Sequence, residues 1–398
     1  MLDQIPAAEN WLAQFPLVDR EVGRQLLRSL RLISNSQFER DLDEVLERLM
    51  HDVGEESLCL MSVPELVSQK RERLHPGKIF RQAGSSSDRI RNYLENFARV
   101  HSKRVRAHQT IESMRAERVR NVVLVEDFIG SGRRIATYLK QTMHPSLKSW
   151  ISYGWTKLWI VAYGALSEGV WAIKRGGYRL SSNRFRLVTP AAYSQRFLSE
   201  PVIEFCRGQA YRTIRSAIPL GFNGGAANLI FEHGCPNNAP VILWSMGRQY
   251  KPLFPNRGIP SELRAAFGVA RSDIAPEILW NASQYRLALS LLKEKSDGRQ
   301  RKFWPLPVAL GLASRSRWDD ANIASALGMS ILSVERLREV GVSLGALEAS
   351  SNEVTAFGRS LLDLIRSNSA EPRMQISKKQ RSLTALYYPY SCEGEAKH

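Results

Sequence analysis

The chain has 398 residues, enough for about two or three domains, and 43% of them are hydrophobic, so a sizeable core is within reach. Its apolar runs, such as Trp159 to Ala162, are too short to cross a bilayer. The four cysteines, Cys59, Cys206, Cys235 and Cys392, contain no CxxC pair, which leaves zinc-ribbon and dithiol redox readings without support. A net charge of +17 implies attraction to polyanions: nucleic acid, nucleotides or an acidic partner.

The first residues, Met-Leu-Asp-Gln, lack a basic segment followed by an apolar one. A cytoplasmic, reduced protein without membrane contact is therefore expected. Residues 1–57 read as a helical N-terminal extension, with Leu42, Val45, Leu46 and Leu49 at helical spacing. Ser57 to Val63 reads as a short strand stopped by Pro64. A polar turn at Gly84, Ser85, Ser86 and Ser87 precedes a helix whose apolar stripe is Ile90, Tyr93, Leu94 and Phe97.

Val122 to Val125 is wholly aliphatic, as in the centre of a parallel sheet, and a helix is expected from about Arg134 through Leu139. "KLWIVAYGAL" (157–166) is a second buried strand, "SEGVWAIKRGGY" a helix after it, and "FRLVTPAAY" a third strand. This alternation predicts a doubly wound α/β domain over 58–290. "NLIFEHGCPNNAPVILWS" (228–245) reads as two strands joined by a Pro-Asn-Asn turn.

The charged stretch "KEKSDGRQRK" (293–302) reads as a linker. Residues 303–367 then give helix, Asp-capped helix, Gly328 turn, helix, a hairpin at "LGALEASSNEVT" and a closing helix. That layout predicts a winged helix-turn-helix domain. Residues 368–398 form a basic, then aromatic, tail.

The chemistry concentrates at "VLVEDFIGSGRR" (123–134). A loop at the carboxyl end of a parallel strand is where α/β folds bind ligands. Gly and Ser there let backbone N–H groups converge on a phosphate. Two adjacent carboxylates need partners, and ribose hydroxyls are suitable ones. Together these residues ask for a ribose 5-phosphate.

The stretch resembles the phosphoribosyl pyrophosphate (PRPP) motif of type I phosphoribosyltransferases. That resemblance implies that Glu126 and Asp127 hold the ribose 2- and 3-hydroxyls. It implies that Gly130, Ser131, Gly132 and Arg133, with Arg134 beside them, wrap the 5-phosphate. Family members usually carry Thr or Ser where Arg133 and Arg134 stand, and purine-specific ones often place an acid where Gly130 stands. The two arginines can pair with phosphate or turn away from it. The family's earlier pyrophosphate loop falls at Gly84 to Ser87, which makes Ser85 and Ser86 ligand candidates, with Lys78 and Arg81 nearby. The same turn also reads as a simple helix cap.

A second resemblance lies in "FEHGCPNNAPVILWS" and "YKPLFPNRG". These look like signatures of phosphoribosyltransferase-like proteins from bacterial conflict systems, some of them accessory effectors of retrons, often with a C-terminal winged helix. Glu232 and His233 then border the pocket, although a lone His in such a place is more often structural. Asn237 and Asn238 read as turn formers. On the winged helix, Val334 and Leu337 face inward, and Arg315, Arg317, Arg336 and Arg338, with Arg301 and Lys302 of the linker, read as nucleic-acid contacts. The other reading is a winged helix that binds protein, or docks on its own pocket domain.

The fold expected is therefore α/β: a type I phosphoribosyltransferase-like parallel-sheet domain followed by a winged helix-turn-helix. The function expected is a retron-type antiviral effector that binds PRPP, or a nucleotide such as NAD, with Mg2+ accompanying the diphosphate. Its partner would be nucleic acid or a nucleoprotein, such as a reverse transcriptase with its RNA and DNA. No residue stands out as a general acid or base, so turnover is left open. The rival is a non-enzymatic, PRPP-sensing, DNA-binding regulator.

Overall fold

The computed structural model describes residues 2–63, 86–175, 180, 182–190, 198–214, 216–268, 275–296, 305–315 and 317–367. Contacts divide the chain into two compact units. One comprises Met1–Asp273 and Asp319–Val340, the other Ile274–Trp318 and Gly341–His398.

The first unit begins with helices α1 (Pro6–Ala13) and α2 (Leu17–Ser29), strand β1 (Arg31–Ile33) and helix α3 (Asn35–Asp52). The expected all-helical stretch thus contains a strand. Three residues are too few to show a period, and β1 exists because it pairs in parallel with distant β7 (Leu229–Phe231). Ser34 caps α3 by accepting from the Gln37 N–H at 3.2 Å. Phe38, Leu42, Val45, Leu46 and Leu49 are its buried stripe.

The main sheet follows. Strands β2 (Leu58–Ser62), β3 (Val105–Ala107), β4 (Asn121–Ile129), β5 (Lys157–Ala165) and β6 (Phe185–Leu187) are all parallel, in the order β3-β2-β4-β5-β6. Helices α4 (Ser86–Val100), α5 (Ile111–Ala116), α6 (Arg133–Thr137), α7 (Pro145–Ser152) and α8 (Ser167–Arg175) fill the connections, and α9 (Glu200–Gln209) follows β6. Helices on the faces bury both sides of the sheet, which is why β4 and β5 read as continuous aliphatic runs. Val123 and Val125 pack in one core with Trp159, Val161 and Tyr163. Val122 and Leu124 pack in the opposite core with Leu158, Ile160 and Ala162. A third core joins α1, α2 and α9 to residues 220–267.

The predicted hairpin at 228–245 does not form. Only Leu229–Phe231 is a strand, and Val241–Leu243 is a turn of 3-10 helix. A three-residue apolar run after Pro240 satisfies a buried turn as well as a strand, and the backbone of β7 is already engaged by β1.

In the second unit lie α10 (Ala275–Asn281), α11 (Tyr285–Ser296) and α12 (Pro305–Ala313). Helix α13 (Asp320–Leu327) belongs to the first unit, with Asp319 as its N-cap and Gly328 closing it at φ +58°. Helix α14 (Ile331–Ser343) crosses the boundary at 340/341, and α15 (Ala356–Ser367) is in the second unit. Where two short strands were expected after α14, one antiparallel bridge, Leu347 to Val354, ties the loop.

Candidate functional site

The chain leaves β2 for β3 on one side, then crosses back to β4 on the other. That reversal makes the carboxyl ends of β2 and β4 the topological switch point, the usual ligand crevice of such sheets. The acid pair stands at the end of β4. The strand does not stop at Val125 as the aliphatic run suggested. It continues through both acids to Ile129. Past Val125 the alternation changes phase, because Phe128 joins the core of Val123 and Val125 while Ile129 joins the other.

Each acid meets a cation. Glu126 is buried, and Arg134 binds it in a two-pronged pair, with Nε donating to Oε1 at 2.9 Å and Nη2 to Oε2. Asp127 accepts the Phe128 N–H on Oδ1 at 2.8 Å. Its Oδ1 also lies 3.9 Å from Arg134, and its Oδ2 lies 3.6 Å from Nε2 of His233. Burial alone would raise the Asp127 pKa. The His233 imidazole, the Arg134 charge and the Phe128 N–H outweigh it and hold the carboxyl below its ordinary value.

The Gly130-Ser131-Gly132 turn is built against its neighbours. Gly132 has φ +68°, and a Cβ there would lie 2.2 Å from the Gly169 carbonyl oxygen. A Cβ at Gly169, in the first turn of α8, would lie 2.1 Å from the Gly130 carbonyl oxygen. A Cβ at Gly130 would meet the Asn238 side chain at 2.2 Å. Asn238 is buried and donates through Nδ2 to the Phe222 carbonyl at 2.9 Å. It is therefore more than a turn former: its amide fills the space that any side chain at position 130 would need. Arg133 is exposed, with its guanidinium 6.0 Å from the Phe222 ring centre, and its N–H donates to Ser131 Oγ at 3.4 Å.

The structure thus brings Glu126, Asp127, Gly130, Ser131, Gly132, Arg133 and Arg134 together. His233, which the second resemblance put at the border of the pocket, joins them through Asp127, and the structure adds Asn238 and Gly169. Ser86 is the first residue of α4, whereas Ser85, Lys78 and Arg81 lie outside the described residues. Glu232 turns to α3 and accepts the Asn35 N–H at 2.8 Å.

A family model named PRTase-CE matches residues 8–256. The chain belongs to the PRTase-CE family. The matched PRTase-CE span contains the acid pair, the Gly-Ser-Gly turn, His233 and Asn238, and it also takes in most of α1 and all of α2 and α3. It makes this part of the chain a phosphoribosyltransferase-like domain. Comparisons with curated proteins and with solved structures return no match.

The basic residues read as nucleic-acid contacts have protein partners. Arg315 donates to the Ser283 carbonyl at 3.0 Å, and Arg317 pairs with Glu353 at 3.4 Å. Arg338 pairs with Asp320 at 3.4 Å, and Arg336 with Glu44 of α3 at 3.3 Å. Arg301 and Lys302 lie outside the described residues. Glu44 receives more than Arg336. The Ser330 and Ser333 hydroxyls approach it at 3.5 and 3.4 Å, and the Ile331 N–H donates to the Val188 carbonyl at 3.0 Å. The first turn of α14 is therefore seated on α3 and on the end of β6. Val334 is fully buried as expected.

Proposed function

We propose that this PRTase-CE protein is a retron-type antiviral effector whose pocket binds a ribose-5-phosphate ligand, PRPP or a nucleotide such as NAD. The observation that carries the ligand reading is the Gly-Ser-Gly turn, interlocked with α8 at the switch point and preceded by an acid pair of which Glu126 is buried. The effector and retron parts rest on the resemblance of "FEHGCPNNAPVILWS" and "YKPLFPNRG" to conflict-system proteins. A cytoplasmic setting goes with that reading. Control by nucleic acid or a nucleoprotein, such as a reverse transcriptase with its RNA and DNA, rests on the +17 charge and on the order of three helices, a bridge-tied loop and a closing helix over 305–367, which we take as a winged helix. Mg2+ would enter on the ligand's diphosphate. Among the described residues, no group of three His, Cys, Asp or Glu side chains is placed to hold it unaided.

The Arg134–Glu126 pair favours a second reading, a PRPP-sensing regulator without turnover, because an acid already bound by a guanidinium offers less to a ribosyl cation. Calorimetry with PRPP and with NAD tests the shared ligand step. Wild-type protein should bind at least one of them, and Ser131→Glu, which puts a like charge in the loop, should lose that binding with an unchanged melting temperature. Wild-type protein that binds neither PRPP nor NAD, or equal binding by Ser131→Glu, overturns the ligand reading. NAD or PRPP turnover by the bound protein then separates effector from regulator.

A further inference from the structure

We propose that Asp127 and His233 form a clamp for a single ligand hydroxyl, taking the place that the resemblance gives to the Glu126–Asp127 pair. The inference rests on the ribose-phosphate reading above and changes which side chains meet the sugar. His233 sits just past β7, its ring stacked on Phe231 (centroids 5.0 Å apart, 17° between planes) and edge-on to Phe38 (5.2 Å, 72°). Its side chain is 8% exposed, and apart from the 3.6 Å approach of Nε2 to Asp127 neither ring nitrogen has a partner within hydrogen-bond distance among the described residues. A buried polar group left in this way is costly, and in native sites it commonly marks a place where water or ligand belongs.

The distance defines what fits. Nε2 of His233 and Oδ2 of Asp127 are 3.6 Å apart, beyond hydrogen-bond reach. An oxygen can nevertheless sit about 2.8 Å from both. A hydroxyl matches the two ends chemically, since it donates to the ionised carboxylate and accepts from an imidazole N–H. A neutral imidazole suffices for this. The neighbours aim the carboxylate: the Phe128 N–H and Arg134 both lie on Oδ1, which leaves Oδ2 towards His233. Glu126, with Arg134 across both its oxygens, is engaged elsewhere. The two aromatic contacts hold the imidazole in one plane, so the clamp is set before a ligand arrives.

Water could bridge the same two atoms, so the test compares sugars. Ribose 5-phosphate, 2-deoxyribose 5-phosphate and 3-deoxyribose 5-phosphate are titrated calorimetrically into the full chain and into His233→Phe and His233→Gln, with melting curves run alongside. Wild-type protein should bind ribose 5-phosphate about tenfold more tightly than at least one deoxy sugar, the worth of one hydrogen bond to a charged acceptor. His233→Phe keeps the stacking but not the donor, and should bring that ratio to about one while the phosphate still binds. His233→Gln, which keeps a donor, should retain part of it and decides the matter if the Phe variant does not fold. A ratio unchanged in His233→Phe, or wild-type protein that ignores both missing hydroxyls, overturns the clamp alone. Wild-type protein that binds none of the three sugars overturns the ribose-phosphate reading and the clamp with it.

Discussion

At the scale of the residue, the loop after β4 depends on three glycines for two separable reasons. Gly132 needs its φ of +68° and also the space taken by the Gly169 carbonyl. At Gly169 the space alone is the constraint, since a Cβ would press on the Gly130 carbonyl. Gly54 supplies the comparison: its φ is +63° and nothing lies within 4 Å of where its Cβ would be. An alanine in the left-handed region costs about 1–2 kcal/mol, and forcing a methyl into packed backbone about 1–3 kcal/mol. Thermal melts should therefore rank Gly132→Ala as most destabilised, then Gly169→Ala, then Gly54→Ala. Gly169→Ala should also weaken ribose 5-phosphate binding, although it stands outside the motif. A Gly169→Ala protein as stable as wild type would mean that the loop and α8 do not interlock. Gly130 and Gly132 were legible in the sequence because they sit in one short motif. Gly169 and Asn238 reach the same place from other elements, and a tertiary contact of that kind leaves no local pattern at either partner; His233 was placed at the pocket's border only by resemblance.

At the scale of the element, β2, β4 and β5 were legible because burial on both faces writes an apolar run into the chain. The end of β4 was not, since Glu126 and Asp127 interrupt that run while the backbone ladder continues to Ile129. The pairing of β1 with β7 was also hidden, being made by three residues on each side from opposite ends of the domain. The seating of α14 on α3 follows from Glu44, whose environment can be titrated. Burial raises its pKa above 4.5, with Asp41 adding to the rise and Arg336, Ser333 and Ser330 opposing it. The folded state thus binds more protons than the unfolded one just above pH 4.5, and stability contributed through Glu44 is lost as pH rises through the folded value. Glu44→Gln mimics the protonated form and should escape that loss. The melting-temperature difference, Glu44→Gln minus wild type, should therefore increase from pH 4 to pH 7. A difference that falls over the same range would show the ionised carboxylate to be favoured by Arg336 and by the positive end of α14.

At the scale of the whole molecule, the charge of +17 has to be set against where its cations are already engaged. Arg336 lies 3.3 Å from the largely buried Glu44, and Arg338, only a third exposed, lies 3.4 Å from Asp320. Arg317 faces Glu353. A guanidinium that meets a phosphate must first give up such a partner, so its net gain shrinks by what the pair was worth. The seat of the first turn of α14 on Val188 and Glu44 removes a further advantage, because a helix-turn-helix reads bases with that turn of its recognition helix. Arg299, Arg301 and Lys302, outside the described residues, have only Asp297 among their nearest sequence neighbours as an acid. If the protein binds nucleic acid through phosphates, affinity should fall steeply with salt, with a slope of about 0.9 per duplex phosphate contacted. Replacing Arg299, Arg301 and Lys302 together by Gln should lower that slope by about 2–3 and weaken all duplex sequences alike. Replacing Arg336 and Arg338 by Gln should lower it by less than about 1. Filter binding to duplex DNA, RNA and an RNA–DNA hybrid between 50 and 200 mM salt, the range over which counterion release is large, measures both. The reverse order of the two slopes would put α14 against the nucleic acid and require it to leave Glu44. Salt-independent binding would remove phosphate contact as the reason for the charge.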